Sequence, residues 1–152
     1  MALVYLLLGT NLGDRTANLK TARGLLEEAF GQREAASPTV ETKACDFDGP
    51  DFLNRVEVYR TRKSSRTVLD LCKKIEKRMG RAETPEFRAD GSRVYHSRII
   101  DIDILEYRLA ASPGASVRIN TPSLTVPHPQ VTSRPFVRPL LDEALRQTIK
   151  TK

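Results

Sequence analysis

Apolar residues run unbroken through Leu3, Val4, Tyr5, Leu6, Leu7 and Leu8, a pattern that predicts a strand covered on both faces. The cluster Gly9-Thr10-Asn11-Leu12-Gly13-Asp14 then reads as a turn. From about Thr16 to Phe30 the pattern becomes helical: Leu19, Ala22, Leu26 and Ala29 form a stripe, and Arg15, Lys20, Arg23 and Glu27 fall on the solvated side. Residues 39–44 predict a short extended segment and 45–51 a loop rich in turn formers. Residues 52–60 alternate as a strand, with Phe52, Asn54, Val56 and Val58 on one face. The two extended stretches are expected to pair as a hairpin.

A second helix is predicted from Ser65, taken as its N-cap, to Met79, because Val68, Leu71, Cys72, Ile75 and Met79 make one stripe; Gly80 ends it. A long polar loop over 81–96 leads to a strand expected to begin near Arg98. Residues 118–124 read as extended, and the tail from Leu140 as helical. These elements imply an α+β fold, a helix layer on a mainly antiparallel sheet. No repeat, low-complexity block or linker divides the chain, so residues 1–152 are expected to form a single domain.

One strand breaks its own pattern. In SRIIDIDILEY, residues 97–107, Ile100, Ile102 and Ile104 share one face, and Asp101 and Asp103 share the other. Two residues of strand separate the carboxylates at their origins by about 6–7 Å, near enough to converge on one divalent ion or a pair. Oxygen donors alone favour magnesium or manganese over zinc, and magnesium commonly shares its shell with substrate phosphates. The bland alternative is a solvated sheet face, or pairing with Arg55 or Arg98. The low strand propensity of aspartate speaks for a function that tolerates its cost.

Composition narrows the partners. The chain has 152 residues, 39% hydrophobic and 29% charged, which suits a soluble globule rather than a membrane span or a disordered tail. The opening MALVYLLLGT lacks the basic region and cleavage pattern of a signal peptide, and Cys45 and Cys72 have no metal-site spacing. A cytoplasmic protein with reduced thiols is therefore expected. The net charge of +6 draws anions, including nucleic acid, acidic lipid and phosphorylated small molecules.

Arg81, Arg88, Arg93, Arg98 and Arg134 lie in or beside loops, where guanidinium groups can grip phosphate oxygens. His128 sits between Pro127 and Pro129, which restrict the loop around it. The sequence contains no G-x-x-x-x-G-K-[ST], no G-x-G-x-x-G and no protein-kinase H-R-D or D-F-G set, so a nucleotide would be bound by other means. Two rivals remain open on these residues: a basic nucleic-acid module, which lacks the RNP aromatics, and a two-metal nuclease, which ordinarily needs more acidic ligands.

Five collinear stretches then resemble 6-hydroxymethyl-7,8-dihydropterin pyrophosphokinase, a folate-pathway enzyme family: YLLLGTNLGDRTANL at 5–19, PDFLNRVEVYRT at 50–61, IEKRMGR at 75–81, SRIIDIDIL at 97–105 and LTVPHPQVTSRPFVRPLL at 124–141. The resemblance implies a ferredoxin-like fold. It also implies transfer of the terminal two-phosphate unit of ATP to the pterin's hydroxymethyl oxygen, with release of AMP. Asp101 and Asp103 would hold two magnesium ions. Asn54 would read the pterin, Phe52 and Phe136 would sandwich it, and the backbone near Thr42 would complete the pocket. Arg98, His128 and Arg134 would contact ATP phosphates, Ile104 and Thr125 would border the adenine, Arg81 would assist turnover from a loop, and Glu76 matches a family acid on the ATP side. The catalytic set is then Arg81, Arg98, Asp101 and Asp103. The implied partners are ATP and the pterin, with no nucleic acid, no membrane and a monomeric chain.

Overall fold

The computed structural model describes residues 1–43, 50–80, 86–87, 89–91, 93–94 and 99–149. The first strand, β1 (Ala2–Thr10), is buried at every position, as its unbroken apolar run requires. It sits inside an antiparallel sheet between β4 (Phe52–Thr61) and β7 (Asp101–Leu109). The short strands β2 (Ala35–Ala36) and β3 (Val40–Thr42) both pair with the outer side of β4, and the expected hairpin is thus formed by β3 and β4. With α1 (Arg15–Phe30) after β1 and α2 (Ser65–Arg78) after β4, the chain runs β-α-β-β-α-β, and the first strand lies beside both the third and the last. That is the ferredoxin-like arrangement.

Helices cover both faces of the sheet rather than one. Val4, Leu6 and Leu8 point to a cluster with Leu19, Ala22 and Leu26 of α1 and Val68, Cys72 and Ile75 of α2. Leu3, Tyr5 and Leu7 point the other way, onto Val137, Leu140, Leu141 and Ala144 of α4 (Val137–Thr148). A helix on only one side would have left half of β1's side chains in water. Two contacts fix α4 further: the Tyr5 hydroxyl meets Thr148 Oγ1 at 2.8 Å, and the Gln147 amide donates to Ala36 O and accepts from Ala36 N–H, occupying the free edge of β2.

Several boundaries differ from the sequence reading. The N-cap of α2 is Ser64, whose hydroxyl accepts from Thr67 N, so the neighbouring Ser65 is already helical. β7 begins at Asp101 rather than near Arg98. Only β8 (Ile119–Asn120) of the expected extended stretch is strand; the Thr121 hydroxyl accepts from Leu124 N in a tight turn leading to β9 (Thr125–Val126), its partner. The last helix starts at Val137, ahead of Leu140, and is preceded by the single-turn α3 (Gln130–Ser133). Backbone pairing also joins β5 (Glu86–Phe87) to β6 (Arg93–Val94).

Candidate active site

Three neighbouring strands bring Asn54, Gly9 and Asp101 into one row. Gly9 of β1 pairs with Asn54 of β4 on one side and with Asp101 of β7 on the other. The neighbouring row, Val56, Leu7 and Asp103, lies on the same face. With strands about 4.8 Å apart, an amide and a carboxylate face each other across roughly 10 Å of bare glycine backbone. A Cβ on Gly9 would stand 3.2 Å from Asn54 Oδ1 and 3.6 Å from Phe52 Cδ1, so the glycine keeps the middle of the row open. Asn54 is buried, and its Nδ2 donates to Thr42 Oγ1 at 2.7 Å, which leaves Oδ1 turned toward that opening.

The turn after β1 supports this end of the sheet. Asp14 caps α1 through Ala17 N, and Asn18 Nδ2 donates to Thr10 Oγ1 and Leu12 O. Asn11, itself buried, donates to Pro50 O at 3.0 Å, and Arg15 to Asp51 O at 2.9 Å. The backbone leading to Phe52 is thereby tied to the backbone leaving Gly9.

Asp101 and Asp103 are half-buried and lie on one face of β7, while Ile100, Ile102 and Ile104 are in the cluster beneath α1 and α2, as the alternation predicts. Between the two aspartates, the Ile102 N–H on the free edge donates to Glu76 Oε2 of α2 at 2.8 Å. Gln130 Nε2 of α3 donates to Asp103 Oδ2 at 2.9 Å. The pairing slips once, at a bulge: Leu6 pairs with Ile104 but Tyr5 with Glu106, so Leu105, on the aspartates' face and packed in the α4-side cluster, is the extra residue and Glu106 rather than Leu105 comes opposite Tyr5. Arg55, one expected partner of the aspartates, is on the opposite face and donates to the buried Glu57 at 2.8 Å.

The segment carrying His128 is anchored to that bulge, because His128 N donates to Leu105 O at 2.9 Å. His128 Nδ1 accepts from Gln130 N at 3.2 Å. Burial holds the imidazole below its ordinary pKa, and the Asp101 charge pulls in the opposite direction. Arg134 NH1 donates to Gln130 Oε1 at 3.3 Å, and its guanidinium lies 4.6 Å from the centroid of the Phe136 ring. Phe136 packs against the α4-side core, and Phe52 is half-buried at the start of β4.

Of the residues expected at the site, Thr42, Phe52, Asn54, Asp101 and Asp103 share one end of the sheet, with His128, Arg134 and Phe136 on the adjoining α3 segment. Glu76 reaches the same end from below. The Ile104 side chain points away, into the apolar cluster, which leaves its edge backbone as what it can offer a ligand. Thr125 is exposed on β9, which packs beside β7. Arg81, Arg88 and Arg98 lie outside the described residues, and Arg93 is described only as backbone in β6. Sequence reasoning missed Gly9 as a spacer, Asn11 as a cross-link and Gln130 altogether. Only the Gln130 to Arg134 spacing of four residues was a readable signal.

Among the described residues no group of three or more His, Cys, Asp or Glu side chains gathers to hold a metal ion. No described helix is long and apolar enough to cross a membrane.

A model of the 7,8-dihydro-6-hydroxymethylpterin-pyrophosphokinase family matches residues 5–145 of the chain. A 2-amino-4-hydroxy-6-hydroxymethyldihydropteridine pyrophosphokinase of Porphyromonas gingivalis is 38% identical over 146 residues, covering 95% of this chain and 92% of that one. One of the same name from Aquifex aeolicus is 40% identical over 144 residues, with 93% and 80% covered. In Pisum sativum a mitochondrial folate synthesis bifunctional protein is 36% identical over 141 residues, which cover 91% of this chain and 24% of its own.

Proposed function

The chain belongs to the 7,8-dihydro-6-hydroxymethylpterin-pyrophosphokinase family, and we propose that the Asn54, Gly9, Asp101 row is where its two substrates meet. The reaction uses ATP as co-substrate and serves folate biosynthesis: the hydroxymethyl oxygen of 6-hydroxymethyl-7,8-dihydropterin attacks the β-phosphorus of ATP, the bond from that phosphorus to the α-phosphate oxygen breaks, and AMP leaves.

One observation supports this placement above the others: an amide and a pair of carboxylates share a sheet face with nothing larger than a glycine between them. The pterin's amidine edge donates to Asn54 Oδ1, whose amide is held by Thr42, and its ring lies between Phe52 and Phe136. That pose directs the hydroxymethyl group across Gly9 toward Asp101 and Asp103. Arg134 and His128 border the phosphates from the α3 side, with Thr125 and the Ile104 backbone beside the adenine and Glu76 bracing the strand beneath. Arg81 and Arg98 complete the phosphate and turnover contacts.

The carboxylate pair fits magnesium: two hard oxygen donors on a rigid strand, too few to fill a shell without the triphosphate's own oxygens and water. Asp101 and Asp103 would hold two such ions, which supply charge neutralisation as the phosphoryl group is transferred. The chain's own part is to align the hydroxyl with the β-phosphorus and to keep water away from it. It acts as one monomeric catalytic unit on small molecules in the cytoplasm.

Incubating the purified chain with ATP, magnesium and the pterin should yield AMP and the pterin diphosphate. Formation of ADP would overturn the reaction. Asp103→Ala should abolish turnover with the melting temperature held, and a variant of near-normal rate would remove Asp103 from the metal site.

A further inference from the structure

Gln130 is buried on the single turn of α3, and both ends of its amide are engaged. Nε2 donates to Asp103 Oδ2 at 2.9 Å, and Oε1 accepts from Arg134 NH1 at 3.3 Å. The amide cannot be reversed, since that would set its oxygen against a carboxylate and its N–H groups against a guanidinium. No charged or apolar side chain serves both neighbours. A carboxylate at 130 would satisfy Arg134 and repel Asp103; a lysine or arginine would do the opposite; an apolar residue would satisfy neither.

The backbone of the turn is equally fixed. His128 N donates to Leu105 O at 2.9 Å, Gln130 N donates to His128 Nδ1, and Arg134 N donates to Gln130 O at 3.0 Å. Arg134 in turn lies over Phe136 at 4.6 Å. A continuous line of contacts therefore runs from a candidate metal carboxylate, through one amide, to a candidate phosphate arginine and a candidate pterin plate.

We propose that Gln130 is a positioning residue for the metal site, setting the rotation of the Asp103 carboxylate and the placement of Arg134 together. This rests on the reading of Asp101 and Asp103 as metal ligands. Groups that hydrogen-bond a metal-binding side chain from outside fix its orientation, and their loss typically weakens metal affinity about 10–100-fold.

The test uses two variants of the full chain. Gln130→Met keeps the length and bulk and removes both polar ends; Gln130→Glu keeps the acceptor for Arg134 and replaces the donor to Asp103 with a like charge. Manganese binding is read by the loss of the free-ion electron paramagnetic resonance signal, with α,β-methylene-ATP present, and melting temperature is followed in parallel. Both variants should bind manganese at least about tenfold more weakly than the parent, at a melting temperature that leaves them folded. A merely structural role would move the melting temperature and leave manganese affinity alone. Asp103→Asn separates the two levels of the argument. If it loses manganese while both Gln130 variants bind normally, the positioning role is overturned and the metal site stands; if it too binds normally, both are overturned.

Discussion

The Glu76 carboxylate of α2 accepts the backbone N–H of Ile102 at 2.8 Å, between the two aspartates of β7. An N–H on the free edge of a sheet needs a partner once a helix covers it, because a buried donor left without one costs about 1–3 kcal/mol. Glu76 is itself buried, so the contact is shielded from solvent competition.

Glu76→Ala should therefore lower unfolding free energy by about 1–3 kcal/mol, and Glu76→Gln, whose amide oxygen still accepts, should recover most of the loss. Urea denaturation measures the stability. Hydrogen exchange at Ile102 checks the cause, with faster exchange expected in the alanine variant alone. Turnover should fall further than stability explains, because the strand carrying both carboxylates loses its brace.

Gly9→Ala should raise the KM for the pterin about tenfold or more and leave that for ATP near the parent value. The added methyl would stand 3.2 Å from Asn54 Oδ1, an atom whose side chain is pinned by Thr42. Gly9 is not among the glycines with positive φ, so alanine meets no backbone strain there, and unfolding free energy should fall only by what displacing the pinned Asn54 amide costs, about 1–3 kcal/mol at most. Steady-state kinetics with each substrate varied decide the matter. Equal effects on both KM values would mean that the gap is not pterin space.

How much of this was readable beforehand depends on the range of each interaction. The facing of Asp101 and Asp103, and of Phe52 with Asn54, follows from strand alternation alone, which is local and survives in the fold. The burial of β1 on both sides was equally plain. What alternation cannot give is register: Gly9 looks like a turn former until Asn54 and Asp101 are found on either side of it. The Leu105 bulge is invisible for the same reason, since an apolar residue in an apolar run carries no mark of an inserted position. Gln130 was missed because its partners lie 27 residues back and four ahead, and only folding brings the first of these near. The offset of one residue at the α2 cap reflects two adjacent serines of equal propensity, of which Ser64 alone reaches Thr67 N.

Glu57 gathers a second polar centre, on the opposite face of the sheet. Its fully buried carboxylate accepts from Arg33 at 3.0 Å, from Arg55 at 2.8 Å and from the Tyr59 hydroxyl at 2.6 Å. Removing the acceptor strands two guanidinium groups that are 19% and 18% exposed. Glu57→Ala should cost about 3–5 kcal/mol in urea denaturation and leave the KM values of the folded fraction unchanged, since this network lies on the sheet face opposite the row. A loss below about 1 kcal/mol would mean that solvent reaches the two arginines easily.

Alkaline pH tests the same core through its thiol. Burial raises the pKa of Cys72 far above the ordinary 9.0, with the charges of Glu76 and Asp103 adding to the effect; burial likewise raises Tyr5 and Tyr59 above 10.0. A folded chain thus keeps protons that an unfolded chain gives up. Stability from these groups is complete below pH 9 and declines as pH rises beyond it, because the unfolded state then binds fewer protons than the folded one. The urea midpoint should accordingly begin to fall near pH 9, and Cys72→Val should delay the fall toward pH 10, where the tyrosines take over. Site-resolved alkylation supplies the independent check. Cys72 should resist iodoacetamide at pH 8.5 until denaturant is added, and modification at the rate of an exposed thiol would contradict its burial on the sheet-facing side of α2.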